Sequence, residues 1–245
     1  MVGSAKIGHA PTSGFLDRAP ENARQELLRS ARAHDLVEGE ILQDVGEPIK
    51  TIYLPASGII SLLAVSKEGL SVEAGLVGRE GFAGISALLG RESPGNVRAM
   101  SQIEGKALEV DADVFGHAME TSEEFSNLAK GYINAVWAET AQSVACNRLH
   151  TVNERCARWL LLVADRLARS EFRLTQEFLA MMLGIRRPSV SVAAEQMQER
   201  GLISYRRGNL RVLDRDGLQD SSCECYSIIR AELDLAVPGA LGPPL

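Results

Sequence analysis

Seven arginines fall between positions 186 and 215 (Arg186, Arg187, Arg200, Arg206, Arg207, Arg211 and Arg215), against three acidic residues, Glu195, Glu199 and Asp214. That window carries +4 in a chain whose net charge is −6, which leaves −10 on everything outside it. A guanidinium is a rigid fork of N–H donors that matches phosphate oxygens, so a small basic face on an acidic body is the footprint of a polyanion site. Ser189 and Ser191 follow the first arginine pair, and Thr175 and Gln176 stand a little upstream of it. This is binding chemistry. For bond making the chain offers no Gly-x-Ser-x-Gly elbow, no Walker loop and no His-x-His pair, so no catalytic residue is assigned and an enzyme is not expected.

Two other groups of residues invite chemistry. The four cysteines are Cys146, Cys156, Cys223 and Cys225. Cys223-Glu-Cys225 sets two soft ligands side by side, but along the sequence no second pair or nearby histidine completes a four-ligand set, and no metal is expected. Gly78-Arg-Glu-Gly81-Phe-Ala-Gly84 has glycine spacing reminiscent of a nucleotide loop without the strand–helix–strand context that loop needs. Its backbone amides can form an anion-binding nest, or simply a turn leading into a short helix over Ile85 to Leu89.

The arginines need a scaffold. Thr175 is a good N-cap, and Phe178, Leu179, Met182 and Leu183 then share one helical face. Gly184 suits a reversal through left-handed backbone, and Pro188 suits the opening turn of a second helix. Val190, Ala193, Ala194 and Met197 form that helix's inner face, and Gly201 ends it. Ile203, Tyr205, Leu210 and Val212 alternate on either side of Arg206-Arg207-Gly208-Asn209, which predicts a hairpin. Helix, turn, helix and wing follow one another over Leu174 to Leu213.

Upstream, glycines at 39, 46, 58, 69, 78 and 81 separate short β-prone runs (41–42, 51–54, 59–65, 72–77), with 97–100 and 106–110 continuing the series. Short strands with glycine turns predict a roll, barrel or sandwich. Thr121-Ser-Glu-Glu124 has capping-box spacing, with Thr at the cap, and opens a long helix from Phe125 to about Leu149. That helix carries two apolar stripes. One holds Phe125, Leu128, Tyr132, Ala135 and Val136; the other holds Ile133, Trp137, Ala141, Val144 and Ala145. One can cover the roll, and the other is most simply covered by the same helix of a second copy. Thr151-Val-Asn-Glu154 predicts a restart near His150, with Trp159, Leu160 and Val163 packing under the helix-turn-helix. Tyr226, Ile229 and Leu233 suggest one more helix near the end.

The chain has 245 residues, 45% of them apolar, enough for two domains. The division expected is a flexible arm (1–22), a β-roll sensor domain (23–118), a long dimerisation helix (119–149) and a winged helix-turn-helix domain with a C-terminal extension (150–245). The fold class is thus α+β with two domains. No apolar run is long enough to span a bilayer and the N-terminus has no apolar signal core, so no membrane association and a cytoplasmic location are expected.

The order of parts, glycine-rich roll, long helix, winged helix-turn-helix, resembles the Crp/Fnr family of bacterial transcription regulators. The resemblance spans roughly residues 25 to 215 and is most specific over 174–212. It implies a homodimer paired through the long helix, double-stranded DNA as partner, contact with RNA polymerase and a small effector in the β domain. It maps the recognition helix onto Arg186 through Met197. Arg187 and Ser191 stand at positions that read bases or phosphates, Thr175 and Gln176 stand where phosphates are anchored, and Arg206, Arg207 and Arg211 lie on the wing. Pro188 and Val192 depart from the family's common Glu and Arg, so the target sequence is not transferable.

The sensor half departs further. Ile85 stands where cyclic-nucleotide-binding members have Glu, and Ser93-Pro94 lies near their phosphate-binding Arg; this speaks against a cyclic nucleotide. Gly84, Ser86 and Arg91 remain as effector-binding candidates. With no cysteine before Cys146, an iron–sulfur cluster of the family's N-terminal kind is expected to be excluded. His34, His117 and His150 are haem ligands only by default and are read as ordinary histidines. An alternative from another class keeps the chain as a small-molecule-binding module whose winged domain associates with protein.

Overall fold

The structure, a computed structural model, describes residues 12–89, 95 and 97–242. After a single 3-10 turn (Leu16–Arg18) come helix α1 (Glu21–Ser30) and strands β1 (Arg32–Leu36), β2 (Ile41–Gln43), β3 (Thr51–Val65) and β4 (Ser71–Val77). A second 3-10 turn (Ile85–Leu88) leads to β5 (Val97–Asp111), α2 (Ala112–Thr121), α3 (Glu123–Leu149) and α4 (Val152–Leu167). The C-terminal part holds β6 (Glu171–Arg173), α5 (Gln176–Leu183), α6 (Arg187–Glu199), β7 (Ile203–Arg206), β8 (Asn209–Val212), α7 (Arg215–Asp220) and α8 (Cys225–Ala236). This is the expected two-part α+β architecture.

In the roll, β5 is the hub, pairing antiparallel with β1, β2 and β3, while β4 pairs with the outer side of β3. The runs read separately as 51–54 and 59–65 are one strand, bent where its register against β5 shifts around Ser57. β1 was not anticipated, because Arg-Ala-His-Asp-Leu shows no β alternation. Pairing with β5 makes it a strand.

The expected loose arm is corrected for the part described. Phe15 and Leu16 are buried, and the Phe15 ring packs edge-on against Phe82 at 5.0 Å between centroids and also meets Tyr132 at 5.8 Å. Phe115 and Phe125 complete the cluster. An aromatic side chain buried this fully ties the segment down. Residues 1–11 lie outside the described residues.

The cap of α3 is Ser122, whose side chain accepts from the Phe125 amide. Thr121 is committed to the preceding helix, donating to the His117 carbonyl at 2.9 Å, so the boundary placed at 118–119 falls inside α2. The capping box at Thr151 and Glu154 is present. Along α3, Phe125, Tyr132, Ala135 and Val136 are buried, whereas Trp137 and Val144 are 71% and 68% exposed.

Every residue of α4 from Arg155 to Arg166 is buried. The Trp159 indole N–H reaches past the helix-turn-helix to the Glu73 carboxylate on β4, at 2.8 Å. Arg166 bridges two more elements, meeting Glu80 after β4 at 2.9 Å and Glu139 on α3 at 2.8 Å. α4 therefore joins roll, long helix and helix-turn-helix into one packed unit. The predicted last helix exists as α8, lying antiparallel along α3, with Cys225 beside Gln142 at one end and Ala236 beside Gly131 at the other. Among the described residues, no helix is long and apolar enough to cross a membrane.

Candidate nucleic-acid interface

The basic window folds as its residue types dictate. Thr175 caps α5 by accepting from the Phe178 amide at 3.1 Å. Gly184 ends that helix at φ +61°, a left-handed position that costs glycine little. Arg186 is the N-cap of α6 and Pro188 lies in its first turn. Val190, Ala193, Ala194 and Met197 are buried. Arg186, Arg187, Pro188, Ser189, Val192 and Glu195 face solvent. The tip of the second helix is open.

The wing turn is tighter than the sequence suggests. Arg206, the last residue of β7, pairs with Asn209, the first of β8, leaving Arg207 and Gly208 as a two-residue loop with φ of +50° and +79°. Positive φ at both positions is the turn that matches strand twist, and it holds the Arg207 side chain at the tip. β6, unforeseen because three residues show no periodicity, pairs with β8 and makes the wing three-stranded.

Between wing and helices lies a cleft of about 390 Å³ lined by Thr175, Gln176, Glu177, Arg187, Tyr205, Arg207 and Gly208. Ser191 Oγ lies 2.6 Å from Gln176 Oε1, tying α6 to the start of α5. The Tyr205 hydroxyl donates to the Leu174 carbonyl at 2.7 Å, and burial pushes its phenol up to about 12. Two cations from different elements and the start of α5 thus converge on one concave spot, an arrangement suited to phosphate. Sequence reasoning missed Tyr205 as a lining residue, because its alternation in the wing marks it only as strand.

Not every arginine is free for a ligand. Arg211 is committed to Glu171 on β6, with Nε 2.9 Å from the carboxylate. Arg215 turns inward, 2.7 Å from Asp165 and 2.6 Å from the Tyr226 hydroxyl, and drops out of the basic footprint. Arg206 and Arg207 remain exposed.

The effector candidates do not form a comparable site. Gly84 (φ +106°) starts the second 3-10 turn against Ile52, Thr51 and Gln43, and Ser86 follows in that turn, half-buried. Arg91 lies outside the described residues. The nest at Gly78 is filled by the chain itself, since the Gly78 amide donates to Glu80 at 3.0 Å. A Cβ on Gly81 would stand 1.9 Å from the Tyr132 ring, so backbone and aromatic core already touch there. Burial disfavours the Arg166 cation, but Glu139 and Glu80 outweigh it and hold its pKa above the ordinary value. Burial raises the Glu139 carboxyl, against the pull of Arg166. A phosphodiester brought here would meet two buried acids and a guanidinium already paired twice. The turn at Gly78 to Gly81 is therefore closed to a phosphate.

One expectation is overturned by geometry. Cys223 and Cys225 do acquire partners: with Cys146 and His150 they form a set whose ligand atoms all lie within 4.8 Å of one another. Cys146 and Cys223 are 77 positions apart, so only the fold reveals the set. The one sequence signal was Cys146 and His150 one helical turn apart. The lack of cysteines before Cys146 bears on an N-terminal iron–sulfur cluster and not on this set, so the expected exclusion is not confirmed.

The sequence matches the cyclic nucleotide-binding domain family over residues 33–122 and the Crp-like helix-turn-helix domain family over residues 154–221. No curated protein matches it. Among solved structures, FixK2 from Bradyrhizobium japonicum is similar in fold (TM-score 0.68, 16% identity, covering 79% of this chain and 98% of that one). So is the c-di-GMP-responsive global regulator CLP of Xanthomonas campestris (TM-score 0.65, 16% identity, 79% and 99% covered). A regulator from Eubacterium rectale, described as a member of the Crp/Fnr family, aligns over 88% of this chain and 97% of its own, with a TM-score of 0.64 and 16% identity. With a nucleotide-domain roll and a Crp-like helix-turn-helix in this order on one chain, the protein belongs to the Crp/Fnr family of transcription regulators.

Proposed function

We propose that two copies of this chain bind a near-palindromic site in double-stranded DNA, each placing α6 in the major groove. The observation that carries this is the open tip of α6, with Arg187 on the same cleft as Arg207 of the wing and the start of α5. Arg187 is assigned to base reading, aided by Ser189 and Ser191. Arg186, Thr175, Gln176, Arg206 and Arg207 are assigned to phosphates, with Arg211 contributing only if it leaves Glu171. The exposed stripe of Trp137 and Val144 on α3 supports pairing of two copies through that helix. Regulation then runs through contact with RNA polymerase in the cytoplasm, and the roll acts as the sensing half with an effector other than a cyclic nucleotide.

Selection from random duplexes tests the reading. Enrichment of an inverted repeat, with half-sites about one helical turn apart and binding that weakens steeply with salt, is expected. Retention of bulk DNA with no enriched sequence removes it.

A further inference from the structure

Cys146 and His150 lie one turn apart where α3 ends, His150 being the C-cap of α3 and the next residue, Thr151, the N-cap of α4. Cys223 comes from the segment joining α7 to α8, and Cys225 is the first residue of α8. Cys146 Sγ is 3.5 Å from Cys223 Sγ, and Cys225 Sγ is 3.5 Å from His150 Nδ1. Three sulfurs and one imidazole nitrogen thus close on a common centre, well buried within the fold. We propose that Cys146, His150, Cys223 and Cys225 bind a single zinc-type divalent cation that staples the C-terminal extension to the joint between α3 and α4.

The spacing fits one ion. Zn–S bonds near 2.3 Å and Zn–N bonds near 2.0–2.1 Å in a tetrahedron give ligand-to-ligand edges of roughly 3.5–3.8 Å. The Cys146–Cys223 and Cys225–His150 edges, both 3.5 Å, fall at the lower end of that range, and the remaining edges, none above 4.8 Å, need only a small closure onto the ion. A cluster of several irons spreads its protein ligands over more than one metal atom and needs a wider set. A Cys146–Cys223 disulfide would leave Cys225 and His150 without a role.

The surroundings are those of a metal site. The far ring nitrogen of His150, Nε2, is 3.3 Å from the Glu224 carboxylate, the outer partner that orients a ligating imidazole with Nδ1 inward. Gln142 Nε2 donates to Cys225 Sγ at 3.1 Å and holds the sulfur in place. Three thiolates and a neutral histidine around a divalent ion leave one net negative charge. Arg155 and Arg158 are both buried, close enough to interact with Cys146, and each has an Nε without a hydrogen-bond partner. Four protein ligands with no open position make the ion structural.

The test uses the full-length protein, purified with reductant and Zn²⁺ and then desalted. One zinc per chain, released in step with blocking of the thiols, is expected. Co²⁺ in its place is expected to give the visible ligand-field bands of a tetrahedral thiolate centre. Cys223→Ser and Cys225→Ser lose the ion, while Cys156→Ser, a cysteine outside the set, retains it. In the wild type a chelator lowers the melting temperature, and in Cys223→Ser it has no effect. If a variant fails to fold, the wild-type metal count and Co²⁺ spectrum still decide. Protein that stays metal-free after Zn²⁺ exposure with its thiols reactive, that carries a Cys146–Cys223 disulfide under reductant, or that holds inorganic sulfide with iron when prepared without oxygen, overturns the proposal.

Discussion

Arg166→Met is the most informative perturbation of the fold. The guanidinium is fully buried and pairs with Glu80 and Glu139, which are themselves buried. Methionine keeps most of the volume, so the packing loss is small and the electrostatic loss dominates. Removing the cation strands two carboxylates away from water, and breaking a buried pair in this way costs about 3–5 kcal/mol. For a chain of this size each kcal/mol moves the melting temperature by about 2–4 °C, so a drop of about 6–20 °C is expected. Thermal unfolding followed by circular dichroism at neutral pH measures it. The loss is expected to shrink on acidification, because protons then replace the missing cation. The triple variant Glu80→Gln/Glu139→Gln/Arg166→Met is expected to recover most of the stability, since no charge of this network remains buried. A single variant melting within about 3 °C of wild type would refute the idea that this network holds α4 to the roll and to α3.

Three further outcomes follow from named residues. Arg187→Ala is expected to cost about 1–3 kcal/mol on the selected site and to relax preference at one base position, whereas Arg207→Ala weakens all sequences alike; gel-shift titrations against the selected site and single-base variants separate the two. Burial pushes the Glu73 carboxyl up to about 8, against hydrogen bonds from Trp159 and Ser61. The folded state therefore keeps a proton that the unfolded chain has released, and stability falls as pH rises from near 4.5 to about 8. Glu73→Gln is expected to flatten that part of the curve in melts taken across the range. Trp137→Glu, placed on the exposed stripe of α3, is expected to leave melting of the single chain nearly unchanged while shifting the protein to monomer in analytical ultracentrifugation; a persisting dimer would move the pairing surface elsewhere.

What the sequence made legible was local. Thr175, Gly184, Pro188 and the alternation through the wing each have a short-range physical reason, and together they define the helix-turn-helix. Long-range partners were hidden. Arg215 reads as part of a basic face until Asp165 and Tyr226 claim it, and Arg211 until Glu171 does. The Gly78 nest reads as an anion site until Glu80, two residues along, occupies it. β1 and β6 exist only because β5 and β8 offer them an edge. The cysteine and histidine set lacked a partner within sequence range, although α3 and α8 bring its two halves together. Arg91 and the stretch 90–94 fall outside the described residues, so that effector candidate stands as the sequence left it.

The composition of α6 constrains how specificity can arise. Pro188 has no side-chain hydrogen bond to give, and Val192, 53% exposed, offers only apolar contact, as to a thymine methyl. Ser191 is already engaged with Gln176. On the proposed reading Arg187, aided by Ser189, is the main hydrogen-bonding reader on each helix, worth about 1–3 kcal/mol of discrimination. Specific regulators separate their sites from bulk DNA by about 4–10 kcal/mol. One copy cannot reach that range, and two copies reading a palindrome reach only its lower part, about 2–6 kcal/mol. On the proposed reading, pairing through α3 is a requirement of recognition on this helix, and the remaining discrimination comes from the shape and deformability of the DNA, read by Arg206 and Arg207 through its backbone and groove width.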